Sequence, residues 1–312
     1  MRVVVTGGAG FIGSHVADMA LGEGHEVLIL DDLSTGRREN LPAGSRFEQI
    51  DLRDGAAVEA AILGFRPDVV SHQGAQTSVS RSVREPVLDA QSNVLGTLHL
   101  LEALRKLGGG RIVLASTGGA IYGEVAEGTR AGVDHPLAPL SPYACSKLAA
   151  EAYLRMYAAE HGLRTTVLRY ANVYGPRQDP HGEAGVVAIF SQRLLANEPI
   201  QINARREPGD DGCIRDYVFV DDVVRLNRLA IEGEITAPIV NVCTGSPAST
   251  RAVAEQLASA SKSSSEFRNG PRRAGDLERS VLEPSTDPRL VATVALADGL
   301  ARTIAWFSTR PR

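Results

Sequence analysis

A Val-rich run, Arg2 to Thr6, leads directly into Gly7-Gly8-Ala9-Gly10-Phe11-Ile12-Gly13-Ser14, which places Gly7, Gly10 and Gly13 three residues apart at the mouth of a helix signal. This is the strongest constraint in the chain. A strand must end, reverse and restart as a helix within a few residues, and side chains would obstruct each step. Glycine permits the tight turn, the close approach of a ligand's oxygens and the packing of helix on strand. Free amides and the positive end of the helix then favour an anion. Three glycines alone carry little information; between a strand and a helix they imply a dinucleotide-binding turn.

Asp31 closes the next predicted strand, 26–30, where a carboxylate can accept from ribose hydroxyls. Its charge would repel a ribose phosphate and so favours NAD over NADP. Arg37 and Arg38 leave a phosphate contact open. Asp51 follows the third predicted strand, 46–50, and reads either as the adenine edge or as a helix cap.

Strand and helix signals alternate through the first half: helices at 11–21, 56–63 and 87–107, further strands at 68–71 and 111–115. The expected fold is α/β, a Rossmann-like parallel sheet with helices on both faces. Residues 117–141 read as a long functional loop. Ser141-Pro142 then starts a helix to about residue 160, and 165–169 is the next strand. A nucleotide-binding domain over 1–170 is expected, followed by a smaller mixed α/β region over 171–312, with some segments returning to the first domain. In that region, helices are expected at 186–196, 221–232, 251–260 and 296–307, a turn at 207–212, a strand at 239–242 and a polar loop at 261–280.

Composition removes several classes. The 312 residues carry a formal net charge of -4, so no global attraction to nucleic acid or to an anionic membrane is expected. No apolar run is long enough to span a bilayer, and the first strand leaves no room for a signal peptide. Cys145, Cys213 and Cys243 are scattered and odd in number, which points to a reducing cytoplasm. The seven histidines show no ligand spacing, and no metal site is expected.

Tyr143 and Lys147 stand i, i+4 at the start of the 142 helix and share a face. A phenol is a poor base near neutrality, but an adjacent ammonium stabilises its phenolate. Thr117, or else Ser116, lies just beyond the fifth predicted strand, at the edge where such a sheet builds its site, and offers a hydroxyl. With a dinucleotide, this set suits reversible alcohol–ketone chemistry. His72 reads as structural, and Glu124 as a surface residue or a contact to a neighbouring element.

The segments TGGAGFIGS, DLSTG, DLRD, NVLGT, STGGAIYGE, YACSK, LRYANVYGPRQ, CIRDYVFVDDV, NVCTG and RRAGDLE occur in that order. Through them the chain resembles, over nearly its full length, the extended short-chain dehydrogenase/reductases, and most closely their UDP-hexose 4-epimerase branch. The resemblance implies C4 epimerisation of a UDP-hexose, the glucose/galactose pair foremost, through a 4-keto sugar with tightly held NAD. It makes Tyr143 and Lys147 the catalytic pair, with Thr117 as hydroxyl partner and Asn93 as support. It adds Phe11, Ile12, Leu52, Gln73, Gly74, Ala75 and Tyr170 to the cofactor contacts. Arg215 and Arg273 become the pyrophosphate clamp, with Asn172 as a further donor, Asp276 on the ribose, and Val187, Gln201 and Asn203 around uracil. A homodimer is implied through the 87–107 and 142–160 helices. Ser280, where some relatives carry Tyr, suggests room for an acetamido sugar; a uronate substrate is a further alternative. A dehydratase would need an acid and a base after Thr117, where this chain has Gly118-Gly119. Many relatives carry the catalytic hydroxyl at the position of Gly118, and a Leu-Gly-Trp near 290–294 is missing, which implies a loosened C-terminal segment or a moved turn.

Overall fold

The computed structural model describes residues 1–181, 185–273 and 275–310. In chain order the elements are β1 (Arg2–Thr6), α1 (Phe11–Gly22), β2 (Glu26–Asp31), β3 (Arg46–Gln49), α2 (Gly55–Phe65), β4 (Val69–His72), α3 (Val79–Arg84), α4 (Pro86–Ala90), α5 (Gly96–Leu107), β5 (Arg111–Thr117), α6 (Gly118–Ile121), α7 (Pro142–His161) and β6 (Arg164–Tyr170). They continue as β7 (Asn172–Tyr174), α8 (Val186–Leu195), β8 (Ile200–Asn203), β9 (Ile214–Phe219), α9 (Val220–Glu232), β10 (Ile239–Val242), β11 (Pro247–Ser249), α10 (Thr250–Ser261), β12 (Phe267–Gly270), β13 (Arg279–Ser280) and α11 (Leu296–Ser308).

The main sheet has seven strands in the order β10-β6-β5-β4-β1-β2-β3. β1 pairs in parallel with both β2 and β4, and the β2–β3 and β4–β5 pairs are parallel too. Val3, Val4 and Val5 are fully buried, as expected of a central strand covered on both faces. On one face Val4, Leu28 and Ile112 pack with Val58 and Ile62 of α2, Leu100 and Leu104 of α5 and Leu154 of α7. The order reverses at β1, so the ends of β1 and β4 flank the crevice in which such a sheet binds its ligand.

The helix boundaries follow their local chemistry. Asp54 caps α2 by accepting from the Ala57 amide at 3.1 Å. Ser141 Oγ accepts from the Ala144 amide at 3.2 Å and Pro142 opens α7, which ends at left-handed Gly162. The predicted 87–107 helix is not uniform: α4 runs into a π-helical turn, Gln91–Leu95, before α5 begins. That turn holds Asn93.

Two compact units divide the chain. The first comprises Met1–Thr117, Ser141–Arg169 and Val224–Val240; the second comprises Gly118–Leu140, Tyr170–Val223 and Asn241–Arg312. The sequence boundary at residue 170 thus meets one of several crossings, because 118–140 groups with the second unit and 224–240 with the first. Within the second unit β9 is central, pairing with β11, β13 and β7, while β8 and β12 form a separate parallel pair. The fully buried Asp216 of β9 accepts from Thr244 N, Thr244 Oγ1 and Gly245 N at 3.0, 2.6 and 2.9 Å. Asp222 accepts from Thr293 N and Val294 N at 2.9 and 2.8 Å. The segment expected to be loosened by the missing Leu-Gly-Trp is therefore pinned to the start of α9.

Candidate active site

Gly7 adopts φ +65°, and a Cβ there would lie 2.6 Å from Gly74 Cα; a Cβ on Gly13 would lie 2.1 Å from the Gly7 carbonyl oxygen. The β1–α1 turn thus touches the end of β4 as closely as backbone allows. No side chain caps α1, the arrangement in which a helix N-terminus can receive an anion. Asp31, 7% exposed, accepts from Ala9 N at 2.9 Å and Leu33 N at 2.8 Å, and burial raises its carboxyl above the usual range. Arg38 donates to Gln49 Oε1 at 2.9 Å and stacks on Phe47, while Arg37 lies 3.6 Å from Glu39. The turn, with no Cβ at Gly7 or Gly13, fits a dinucleotide.

Asp51 is otherwise engaged. Both its oxygens accept from Arg53, which pulls its carboxyl below the usual range, and Asp54 rather than Asp51 caps α2. Leu52 stands beside the turn, its Cδ1 lying 3.1 Å from a Cβ built on Gly74. Gln73 donates to Ser71 Oγ and Asn227 Oδ1 at 3.0 and 2.9 Å; Ala75 follows Gly74 in the same loop, and Tyr170 is buried at the end of β6.

His72 does more than fill space. Thr97 Oγ1 donates to the Asn93 carbonyl at 2.6 Å, so it can only accept from His72 Nε2, 3.0 Å away. His72 is therefore the Nε2–H tautomer, its Nδ1 accepting from Thr6 Oγ1 at 2.8 Å, which in turn accepts from Gly74 N at 3.0 Å. One directed chain joins the glycine turn to the π-helical turn. Burial, and then the Lys147 charge, push the imidazole down to about 3, which keeps it neutral. Asn93 donates to Ser146 Oγ at 3.0 Å and Asp89 Oδ1 at 3.2 Å and accepts from Gln76 N at 2.8 Å, so it ties this turn to α7.

Tyr143, Lys147 and Thr117 come together at the start of α7 and the end of β5. Burial pushes the Tyr143 phenol up to about 12, a rise that the neighbouring Thr117 hydroxyl opposes and the Asp89 charge reinforces. Burial lowers Lys147 to about 8, while Asp89 and then Glu151 hold it up. Ser116 turns elsewhere, its hydroxyl donating to Glu151 Oε1 at 2.5 Å. A Cβ on Gly118 would lie 2.4 Å from Leu282 Cδ1, so a side chain there would require Leu282 to shift.

In the second unit Arg215 donates to the Ile214 and Leu277 carbonyls at 3.0 and 2.7 Å, tying β9 to the segment that carries Asp276. Arg273 is exposed and Asp276 half-buried; the Asp276 amide reaches the Arg273 carbonyl at 3.4 Å. Asn172 donates to the Asp216 carbonyl at 3.2 Å. Gln201 donates to Asn203 Oδ1 at 2.7 Å, both on β8 over Gly270. Val187 is 1% exposed and packs inside α8, so its side chain turns no open face to a base. Ser280 is also 1% exposed, in register with Arg215. Glu124 is no idle surface residue: it accepts from Glu278 N at 2.6 Å and Arg279 N at 3.1 Å, fixing the start of β13. Among the described residues no His, Cys, Asp and Glu cluster could hold a metal ion.

The sequence reading missed Asp89, Glu151 and the His72 chain. Glu151 alone carried a signal, since it continues the Tyr143, Lys147 spacing by another four residues.

A glycine turn on a parallel sheet, with a Tyr–Lys pair beside a threonine, defines a nicotinamide-dependent enzyme of the short-chain dehydrogenase/reductase type. Residues 3–243 match the NAD dependent epimerase/dehydratase family, and the chain belongs to it, with NAD as its cofactor. It is 43% identical to the UDP-glucose 4-epimerase of Mycolicibacterium smegmatis, covering 99% of each chain. Among solved structures it is similar to the Thermus thermophilus UDP-glucose 4-epimerase in complex with NAD, at 52% identity and TM-score 0.95 over 99% of each chain. It is also similar to the Thermotoga maritima enzyme with UDP-glucose, at 42% identity and TM-score 0.92 over 98% of each chain.

Proposed function

We propose that this protein interconverts UDP-glucose and UDP-galactose at C4 and works as a cytoplasmic homodimer. The observation that carries this reading is the grouping of Thr117 at the end of β5 with Tyr143 and Lys147 at the start of α7, on a sheet whose first turn fits a dinucleotide. Bound NAD supplies hydride acceptance and return, so the reaction leaves no net redox change. Tyr143 takes the O4 proton as the 4-keto sugar forms and returns it to O4 when the alcohol is restored with C4 inverted. Thr117 aligns that hydroxyl, and the Lys147 ammonium favours the phenolate that burial otherwise resists. Arg215 and Arg273 hold the pyrophosphate, assisted by Asn172, while Asp276 accepts from the ribose and Gln201 and Asn203 meet the uracil. Anchoring the UDP lets the hexose turn without leaving.

The dimer reading draws on Val79, Val83, Val87, Leu95, Tyr153 and Met156, large apolar side chains left exposed on α3, α4, the π-helical turn and α7. The cytoplasmic reading draws on three free cysteines. No helix among the described residues is long and apolar enough to cross a membrane. An acetamido sugar gains no support from Ser280, which is sealed into β13. Dehydration gains none either, since Gly118 and Gly119 after Thr117 supply neither acid nor base.

Purified protein given UDP-galactose without added NAD should form UDP-glucose. Tyr143→Phe should reduce turnover about 100-fold or more while still binding NAD and UDP. Full turnover by that variant would remove the phenol from the mechanism.

A further inference from the structure

A buried ion pair lies next to Lys147, and neither dinucleotide binding nor proton transfer by Tyr143 makes use of it. Glu151 follows Lys147 by one helical turn on α7, so the two side chains are neighbours on a single face. Glu151 and Arg169 are 6% and 2% exposed. Arg169 donates to the carboxylate through Nη2 at 2.6 Å and Nε at 3.1 Å, and Ser116 Oγ donates at 2.5 Å. The carboxylate is thus gripped from β6 and from β5, one residue before Thr117. Burying such a pair is costly, and apolar side chains of the same volume would serve packing as well or better. Its placement supplies something packing cannot: a fixed negative charge beside a buried ammonium.

We propose that Glu151 is a positioning residue that keeps Lys147 in its ammonium form and fixes it beside Tyr143, with Arg169 and Ser116 holding the carboxylate in place. This rests on the assignment of Tyr143 and Lys147 to proton transfer. The charges acting on Lys147 are Asp89 from α4 and Glu151 from α7, with Arg169 of β6 behind Glu151; Tyr143 lies one turn before it on α7, and His72 of β4, which feels the Lys147 charge, is neutral. Burial drives Lys147 towards the neutral amine, and Asp89 and Glu151 oppose it. Lys147 acts as a cation, so its contribution disappears as pH rises through its pKa. Removing the Glu151 charge brings that loss to lower pH.

The test is the pH profile of kcat for the NAD-loaded enzyme on UDP-galactose. Glu151→Gln combined with Arg169→Met leaves no lone buried charge. Its alkaline limb should fall by about one pH unit, with KM within about twofold of the parent. Glu151→Asp, which keeps the charge, should hold the limb where the parent has it, and it supplies the comparison with Glu151→Gln alone should the double variant fail to fold. A limb unmoved by both charge-removing variants, or moved equally by Glu151→Asp, overturns the proposal. Undiminished turnover by Lys147→Met would instead remove the proton-transfer assignment beneath it.

Discussion

Gly13→Ala puts the dinucleotide turn to a quantitative test. The new Cβ would sit 2.1 Å from the Gly7 carbonyl oxygen, 2.7 Å from the Gly7 carbonyl carbon and 3.0 Å from Gly8 Cα. Contacts of about 3 Å are already tight for a methyl group, so either the turn or α1 must move by about 1 Å. Neither moves freely: Val16, Ala17 and Ala20 hold α1 in the core, and Gly7 abuts Gly74. Overpacking of this kind costs about 1–3 kcal/mol. Expressed in NAD binding, that is a loss of about 5- to 150-fold in affinity. Gly22, at the other end of the same helix, is the internal control, since its Cβ would meet nothing within 4 Å. Calorimetric titration of cofactor-stripped protein with NAD, alongside thermal melting, separates the two variants. Gly13→Ala matching Gly22→Ala in both would refute the turn as the pyrophosphate site.

The neutral His72 tautomer predicts a nitrogen NMR signature of Nε2–H that does not titrate between about pH 5 and 9. Its pKa is about 3 against an ordinary 6.5. Between about pH 3 and pH 6.5 the folded state therefore binds fewer protons than the unfolded one. The stability His72 contributes is complete above the ordinary value and falls at about 1.4 kcal/mol per pH unit below it; urea unfolding with and without His72→Gln reads this slope. For the dimer, Val83→Glu with Val87→Glu charges two of the most exposed apolar positions and should yield a monomer by light scattering. A dimer retained at micromolar concentration would place the interface elsewhere.

Much of the fold is written in local chemistry. The Val-rich β1, the glycine turn, Ser141-Pro142 and the glycines after helices all act within a few residues, and the parallel sheet follows from the alternation they mark. The shortest elements are invisible at that range. β7, β11 and β13 have two or three residues each, too few for a periodic pattern, and they exist because β9 offers partners. That is why 261–280 reads as loop yet contains β13 on β9, while β12, four residues long, is held by its pairing with β8. The π-helical turn is equally hidden, since Asn93 is stabilised there by Gln76, Asp89 and Ser146 from other segments. In the site, the spacing of Tyr143 and Lys147 puts them on one face without tertiary information. The choice between Thr117 and Ser116 needs Glu151, and the engagement of Asp51 by Arg53 and of Arg215 by two carbonyls is a matter of side-chain paths.

The central claim is that one hydride leaves C4 and comes back within a single occupancy of the site. UDP-galactose carrying deuterium at C4, turned over in ordinary water without added NAD, tests it directly by mass and proton NMR analysis of the product. UDP-glucose that keeps its deuterium at C4 is the expected result. Product labelled from solvent at C4, with the deuterium lost, would contradict the account.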